Sequence, residues 1–312
     1  MPSRSSHSMT PLEWGLLLAL SVLWGASFLF VGVAVTALAP ATIVMVRVSL
    51  AGLFLYFIVR IVGARIPMDR ESWRDFILMG FLNNIVPFTL LAWGQSHIAS
   101  GLASILNATT PLFAVVAAHF LTTDEKMTLP RIAGVLIGFA GVALMVGTSA
   151  FRDISSELLP EIACLGAAFA YAVSAIFGRR FSRRKIPPVV TATGQMTAAS
   201  LMLLPFWLLV DQPWTIPPPS LAVIAAMLAL VILSSVLGYL LYYRILATAG
   251  SVNLVLVTFL IPVSAILLGA LVLGERLEPR HFLGMAAIGV GLACIDGRLL
   301  RRVGLPPKAG SR

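Results

Sequence analysis

The sequence predicts an all-α integral membrane protein, with ten transmembrane helices arranged as two inverted five-helix repeats around a central cavity. Three observations lead there. The 312 residues are 59% hydrophobic and 11% charged, against the usual quarter charged of a soluble domain, which leaves too little charge to cover a water-facing surface. The apolar residues gather into ten runs, near 13–36, 41–62, 74–95, 99–121, 130–149, 160–178, 188–210, 220–243, 251–273 and 280–297. Each approaches the roughly 20 residues that cross a hydrocarbon core of about 30 Å. The chain also reads twice: Pro111-Leu112-Phe113, Asp124-Glu125-Lys126 and Gly134 to Gly141 return as Pro262-Val263-Ser264, Gly274-Glu275-Arg276 and Gly284 to Gly291. A repeat of half an apolar chain marks a duplicated membrane unit.

The division that follows is 1–150 for the first repeat, 151–297 for the second and 298–312 for a basic cytoplasmic tail. Five spans per repeat is an odd number, so the second copy enters the membrane from the opposite side. Such inverted halves create a pseudo-two-fold axis in the membrane plane, with a site near the midplane and two near-equivalent conformations. Charge placement sets the orientation. Arg152, Arg276 and Arg280 lie in outer loops and Arg47 lies within a span, while the other eighteen of the 22 Lys and Arg fall in inner loops and tails. That asymmetry predicts both termini in the cytoplasm. It also accounts for the net charge of +9 as a topology signal that meets anionic lipid, with no nucleic-acid partner.

Taken in order, the spans carry few polar groups, and those few are the candidates for function, because polar groups at bilayer depth are costly and tend to face a cavity or another helix. The first apolar stretch, Trp14 to Ala37, exceeds the 7–15 residues of a signal peptide and reads as a retained span, with Trp24 and Ser27 on one face. The second holds Arg47, expected to snorkel outward or to pair with backbone carbonyls. The third has Asn83 and Asn84 at its middle, with Pro87 one turn on. The proline removes a backbone hydrogen bond, so the two amides either bind a ligand beside a broken helix or bond across to a neighbour. Trp93 and Gln95, near its outer end, read as gate or rim residues.

Asn107 and Thr110 share a face of the fourth span, where Pro111 interrupts the helix; its repeat partner Pro262 is expected to do the same in the ninth, one turn after Thr258. Paired breaks of this kind point to a binding site or to hinges. The sixth span sets Tyr171 and Ser174 in places matching Trp24 and Ser27, and the eighth carries Ser235, Tyr239, Tyr242 and Tyr243. The fifth and tenth spans carry small-residue faces, Gly134 with Gly138 and Gly284 with Ala287 and Gly291, that allow close helix approach. They read as scaffold or as the contact of a homodimer. Cys164 and Cys294 read as buried structural thiols.

Trp24-Gly25-Ala26-Ser27-Phe28, Arg47 in the second span and the doubled Pro…Glu…Gly…Gly pattern together resemble the drug/metabolite transporter superfamily. Within it the chain is most similar to the ten-span EamA-type exporters, over nearly all of residues 12–297. The resemblance implies a bacterial exporter of amino acids or related metabolites in the cytoplasmic membrane, and not an enzyme. The substrate cavity is expected from Trp24, Ser27, Asn83, Asn84, Asn107, Thr110, Tyr171, Ser174, Tyr239 and Thr258, with Pro87, Trp93, Gln95, Pro111 and Pro262 as hinge or gate. No cofactor or metal is expected, since no phosphate-cradling glycine loop or zinc-type His/Glu pair stands in a suitable setting. No Asp or Glu lies in the middle of any span, which argues against a titrating carboxylate and for uncoupled diffusion or exchange. A drug or cation efflux carrier of the same superfamily is the alternative; a lipid-acting membrane enzyme would need a nucleophile or metal cluster.

Overall fold

A computed structural model describes residues 9–123, 127–146, 158–249, 254 and 256–296. Asp124-Glu125-Lys126 and the basic tail 298–312 lie outside the described residues. Within them the chain is helical, with no strand. Ten apolar helices follow in order: α1 (Pro11–Ala34), α2 (Pro40–Ile61), α3 (Arg70–Gln95), α4 (Ser100–Leu121), α5 (Leu129–Met145), α6 (Leu158–Arg183), α7 (Pro188–Asp211), α8 (Leu221–Leu246), α9 (Val257–Leu273) and α10 (Pro279–Ile295). Seven are long and apolar enough to cross a membrane; α5, α9 and α10 are shorter.

The helix ends follow from local chemistry. Thr10 and Glu13 form a reciprocal capping box before α1, and prolines occupy the first turns of α1, α2 and α7, where a missing N–H costs nothing. Asp69 accepts the backbone N–H of Ser72 at 2.9 Å to start α3. Helix α6 runs on through Arg183, so Arg179, Arg180 and Arg183 stand on its last turns and not in a loop. Positive charge is favourable there against the helix dipole.

Helix α4 has no cap of its own, since Ala99 offers no side-chain acceptor. Glu275 supplies it from the other half of the chain. Its carboxylate accepts the N–H of Ser100 at 2.7 Å, the N–H of Gly101 at 3.1 Å and the Ser100 hydroxyl at 3.0 Å. Gly274, at φ +67°, makes the turn that delivers it, a conformation glycine adopts without penalty. Gly269 leaves the space: a Cβ there would stand 2.5 Å from Oε2 of Glu275.

Helix pairings come in matching sets. Helix α5 packs along α10 and α2 along α7; α1 meets α9 as α6 meets α4, and α1 meets α8 as α6 meets α3. The α5–α10 contact is reciprocal. Gly134 abuts the carbonyl of Gly291 and Gly291 that of Gly134; Gly141 and Gly284 oppose each other's carbonyls in the same way. These glycine faces are therefore engaged inside one chain. Large apolar side chains such as Leu18, Phe57, Leu136, Leu201, Leu271 and Leu283 lie on the outside, as lipid-facing helices require.

One expected helix break is absent. Helix α4 stops at Asn107 and restarts at Thr110, whereas α9 runs unbroken from Val257 to Leu268 through Pro262. Pro262 falls in the second turn after the helix start, so it deprives a single nearby carbonyl of its partner and the helix continues. Pro111 instead sits mid-span, and the freed carbonyls are taken by side chains: the Thr110 hydroxyl donates to Asn107 O at 2.7 Å and the Thr109 hydroxyl to Leu106 O at 2.6 Å.

Candidate functional site: a central cavity

A cavity of about 360 Å³ opens among α1, α2, α3, α4, α6, α7, α8 and α9, at the lower end of the small-molecule range. Helices α5 and α10 contribute nothing to its wall. Local helix distortion shapes it. In α3 the backbone widens into a π-helical segment at Phe81–Ile85 just before Pro87, and in α8 into a second at Leu230–Leu237 just before Gly238. A π segment leaves backbone carbonyls unpaired and re-aims side chains. The Trp24 indole uses one of these carbonyls, donating Nε1–H to Ser234 O at 3.2 Å, while the Ser234 hydroxyl donates to Leu23 O at 2.8 Å. A Cβ on Gly238 would collide with the indole at 2.6 Å. Trp24 thus offers the cavity a ring face, its N–H being spent on the fold.

Nine of the ten expected lining residues stand on the wall: Trp24, Ser27, Asn83, Asn107, Thr110, Tyr171, Ser174, Tyr239 and Thr258. Asn84 does not. It is fully buried behind the wall, its amide nitrogen 3.6 Å from the sulfur of Met196 in α7; the π segment turns Asn83 inward and Asn84 toward the neighbouring helix. Asn83 ties three helices together. Its amide donates to Gln195 Oε1 at 3.3 Å and to the Tyr239 hydroxyl at 3.4 Å, and its oxygen accepts from the Ser174 hydroxyl at 2.9 Å. Gln95, expected at a rim, also lines the cavity, with Oε1 unpartnered among the described residues. Trp93 lies away from the cavity, its ring 5.0 Å from that of His97.

Further groups outside the expected set line the cavity. Arg47 neither snorkels nor pairs with backbone carbonyls. It lines the cavity, donates Nε–H to Ser235 Oγ at 3.0 Å, and holds its guanidinium carbon 3.7 Å from the centre of the Phe88 ring. Gln195 of α7 donates Nε2–H to the Tyr239 hydroxyl at 3.4 Å. Tyr242 and Tyr243 of α8 complete an aromatic wall. Trp24 and Tyr242 lie 5.6 Å apart, Tyr239 and Tyr243 6.0 Å, and Tyr242 and Tyr243 5.2 Å. Among the described residues no Asp, Glu, Lys or His lines the cavity, and Arg47 is the one charged side chain there.

The acidic residues lie elsewhere. Asp75, overlooked in the sequence, is buried in the second turn of α3, within ion-pair reach of Arg74 at 3.6 Å, Arg180 at 3.8 Å and Arg184 at 3.4 Å. Arg184 also meets Asp69 at 3.2 Å and Glu71 at 3.7 Å. The Asp69 carboxyl is drawn down to about 2, chiefly by the Ser72 hydroxyl and N–H and further by Arg184. Asp211, at the end of α7, accepts from the Thr42 hydroxyl at 2.7 Å. Among the described residues no group of His, Cys, Asp and Glu could hold a metal ion.

Relatives of this chain are named as transporters. An uncharacterized transporter of Archaeoglobus fulgidus is 27% identical over 90% of this chain and 97% of its own length. A probable terminal-alkyne amino-acid exporter of Streptantibioticus cattleyicolor is 26% identical over 93% of this chain and 94% of its own. The uncharacterized inner membrane transporter YedA of Escherichia coli is 24% identical over 90% and 89%. A crystal structure superposes with a TM-score of 0.65 at 19% identity, over 92% of this chain and 98% of that one, a likeness of fold. The EamA-like transporter family matches residues 13–147 and 158–295, and the chain belongs to that family.

Proposed function

We propose that this transporter exports amino acids or related small metabolites across the bacterial cytoplasmic membrane, by rocking two inverted five-helix halves about the central cavity. The observation that carries the reading is the cavity itself, walled by four helices from each half of the chain. A pocket at the seam between halves opens to one side or the other as they tilt. Ten alternating spans in two inverted sets are supported by the matching helix pairings and by the reciprocal glycine contacts of α5 and α10, and cytoplasmic termini by the placement of Lys and Arg along the chain. The separate family matches in the two halves support it as well. Amino-acid cargo is supported by the size and mixed polar and aromatic lining of the cavity, and by the relative named as an amino-acid exporter.

The reading includes uncoupled diffusion or exchange, because the described lining offers no carboxylate whose protonation could alternate with substrate binding. Purified protein in liposomes loaded with labelled amino acids tests the reading. Saturable efflux that unlabelled amino acids inhibit, and that an imposed pH gradient leaves unchanged, is the expected result. Efflux that follows the pH gradient would overturn the uncoupled mechanism. Flux of hydrophobic cations in place of amino acids would move the function to drug efflux.

A further inference from the structure

Two positions in the cavity are equivalent in register and opposite in chemistry. Arg47 and Gln195 each stand seven residues after the proline that opens α2 or α7, and both line the cavity. Their neighbours correspond too. Phe88 beside Arg47 and Tyr239 beside Gln195 each fall eighteen residues after the first residue of α3 and α8. Each side chain also reaches a polar group of the opposite half, Ser235 for Arg47 and Asn83 for Gln195. The Gln195 amide is thereby used at both ends: Oε1 accepts from Asn83 and Nε2 donates to Tyr239.

Arg47 is not. Nε is held by Ser235 and the Phe88 ring covers one face of the guanidinium. Neither terminal nitrogen has a hydrogen-bond partner among the described residues, and no carboxylate pairs with the charge. An unpaired charge at bilayer depth is costly, and a neutral donor such as the glutamine at the equivalent position of α7 could hold the serine equally well. The charge therefore finds its partner outside the protein. A planar guanidinium fixed at Nε and on one face presents its remaining N–H groups as a fork, the geometry that matches two carboxylate oxygens.

We propose that Arg47 anchors a carboxylate group of the transported molecule, an inference that rests on the carrier reading above. Ser235 and Phe88 position the guanidinium, and the aromatic wall of Trp24, Tyr239, Tyr242 and Tyr243 receives the remainder of the molecule. One positive charge with no acidic neighbour selects zwitterions and monoanions. It disfavours amines that lack a carboxylate, and it leaves half of a phosphate dianion uncompensated.

The test is counterflow into liposomes of a mixture of the twenty labelled L-amino acids. The competitors are unlabelled parent amino acids or the amines made from them by removing the carboxylate. Parents are expected to compete about 10- to 100-fold more strongly than their amines, the range of a hydrogen bond to a charged group. Arg47→Gln should raise the half-saturating concentration by a similar factor and abolish the preference for parent over amine. Arg47→Lys, which keeps charge and loses the fork, should fall between. Size-exclusion profiles of both variants establish that they fold. A merely structural role would lower flux of either class alike, so retained preference in Arg47→Gln overturns the proposal, as does equal competition by amines in the wild type. Both of those results leave the carrier intact. Absence of any amino-acid flux removes the carrier reading and this inference with it.

Discussion

The α5–α10 seam and the central cavity are made by the same duplicated unit, yet they treat the duplication in opposite ways. At the seam the two copies match glycine for glycine, with Gly134 against Gly291 and Gly141 against Gly284, as an isologous contact between two subunits would. At the cavity the copies place the same positions on the wall and change what stands there: in register, Arg47 corresponds to Gln195, Phe88 to Tyr239 and Trp24 to Tyr171. The difference follows from the tasks. On the proposed rocking mechanism, a scaffold equally stable tilted either way benefits from symmetry, whereas a single asymmetric molecule is bound by one arrangement of groups. That reading puts recognition where the repeats have diverged.

The largest expected effect belongs to the seam. A side chain at Gly134 or Gly141 meets backbone carbonyls of α10, which cannot rotate away as a flexible side chain would. Gly134→Val should therefore cost at or above the top of the about 1–3 kcal/mol range for overpacking, seen as a lowered thermal unfolding midpoint and reduced monodisperse yield. Protein that does fold should keep the wild-type order of substrate preference. A variant of normal stability and altered preference would break the division between scaffold and site.

Exchanging the divergent pair sharpens the comparison. The double variant Arg47→Gln with Gln195→Arg keeps the cavity's charge and moves it to the other half. If the charge alone mattered, flux would return. The environments differ, however, because position 195 faces the Asn83 amide and the Tyr239 hydroxyl, not a phenyl ring that orients a guanidinium. Carboxylate-dependent counterflow is expected at about a tenth of wild type or less. Full recovery would show that the fork set by Ser235 and Phe88 is unnecessary.

Glu275 tests the symmetric scaffold more gently. Glu275→Gln removes the charge from a carboxylate that accepts three hydrogen bonds at the start of α4. The loss of a charged cap should cost about 1–2 kcal/mol, read as a lowered unfolding midpoint with parent-over-amine preference unchanged.

How much of this was legible in the sequence depends on whether a residue's partner is local. The apolar helices and the small-residue faces follow from periodicity and neighbours a few residues apart, and ten apolar helices overlap the ten apolar runs. The cavity face of Asn83, Asn107, Tyr171 and Ser174 could be read because polar residues in an apolar helix must turn inward. Arg47 could not, because its environment is assembled from Phe88 of α3 and Ser235 of α8, 188 residues away in sequence for the latter. Asn84 was misplaced for a related reason. A π segment at Phe81–Ile85 shifts the helical phase, and adjacent asparagines cannot be assigned to faces by a period of 3.6. The repeat makes Pro262 the counterpart of Pro111, but its effect depends on where α9 begins, which a repeated motif does not encode.

Trp24 provides the finest test, since it serves scaffold and cavity together. Its N–H is bonded to Ser234 O and its ring lines the wall. Trp24→Phe keeps an aromatic face and removes the donor, leaving a carbonyl of the α8 π segment without that bond. A single neutral hydrogen bond contributes about 1 kcal/mol, so the unfolding midpoint should fall slightly and flux should change by less than about fivefold. Trp24→Ala, which removes the ring as well, should reduce flux further without abolishing folding. A Trp24→Phe variant that loses flux as completely as Trp24→Ala would mean that the indole N–H leaves Ser234 during the transport cycle to bind cargo. Trp24 would then join Arg47 as a polar contact and cease to be a wall.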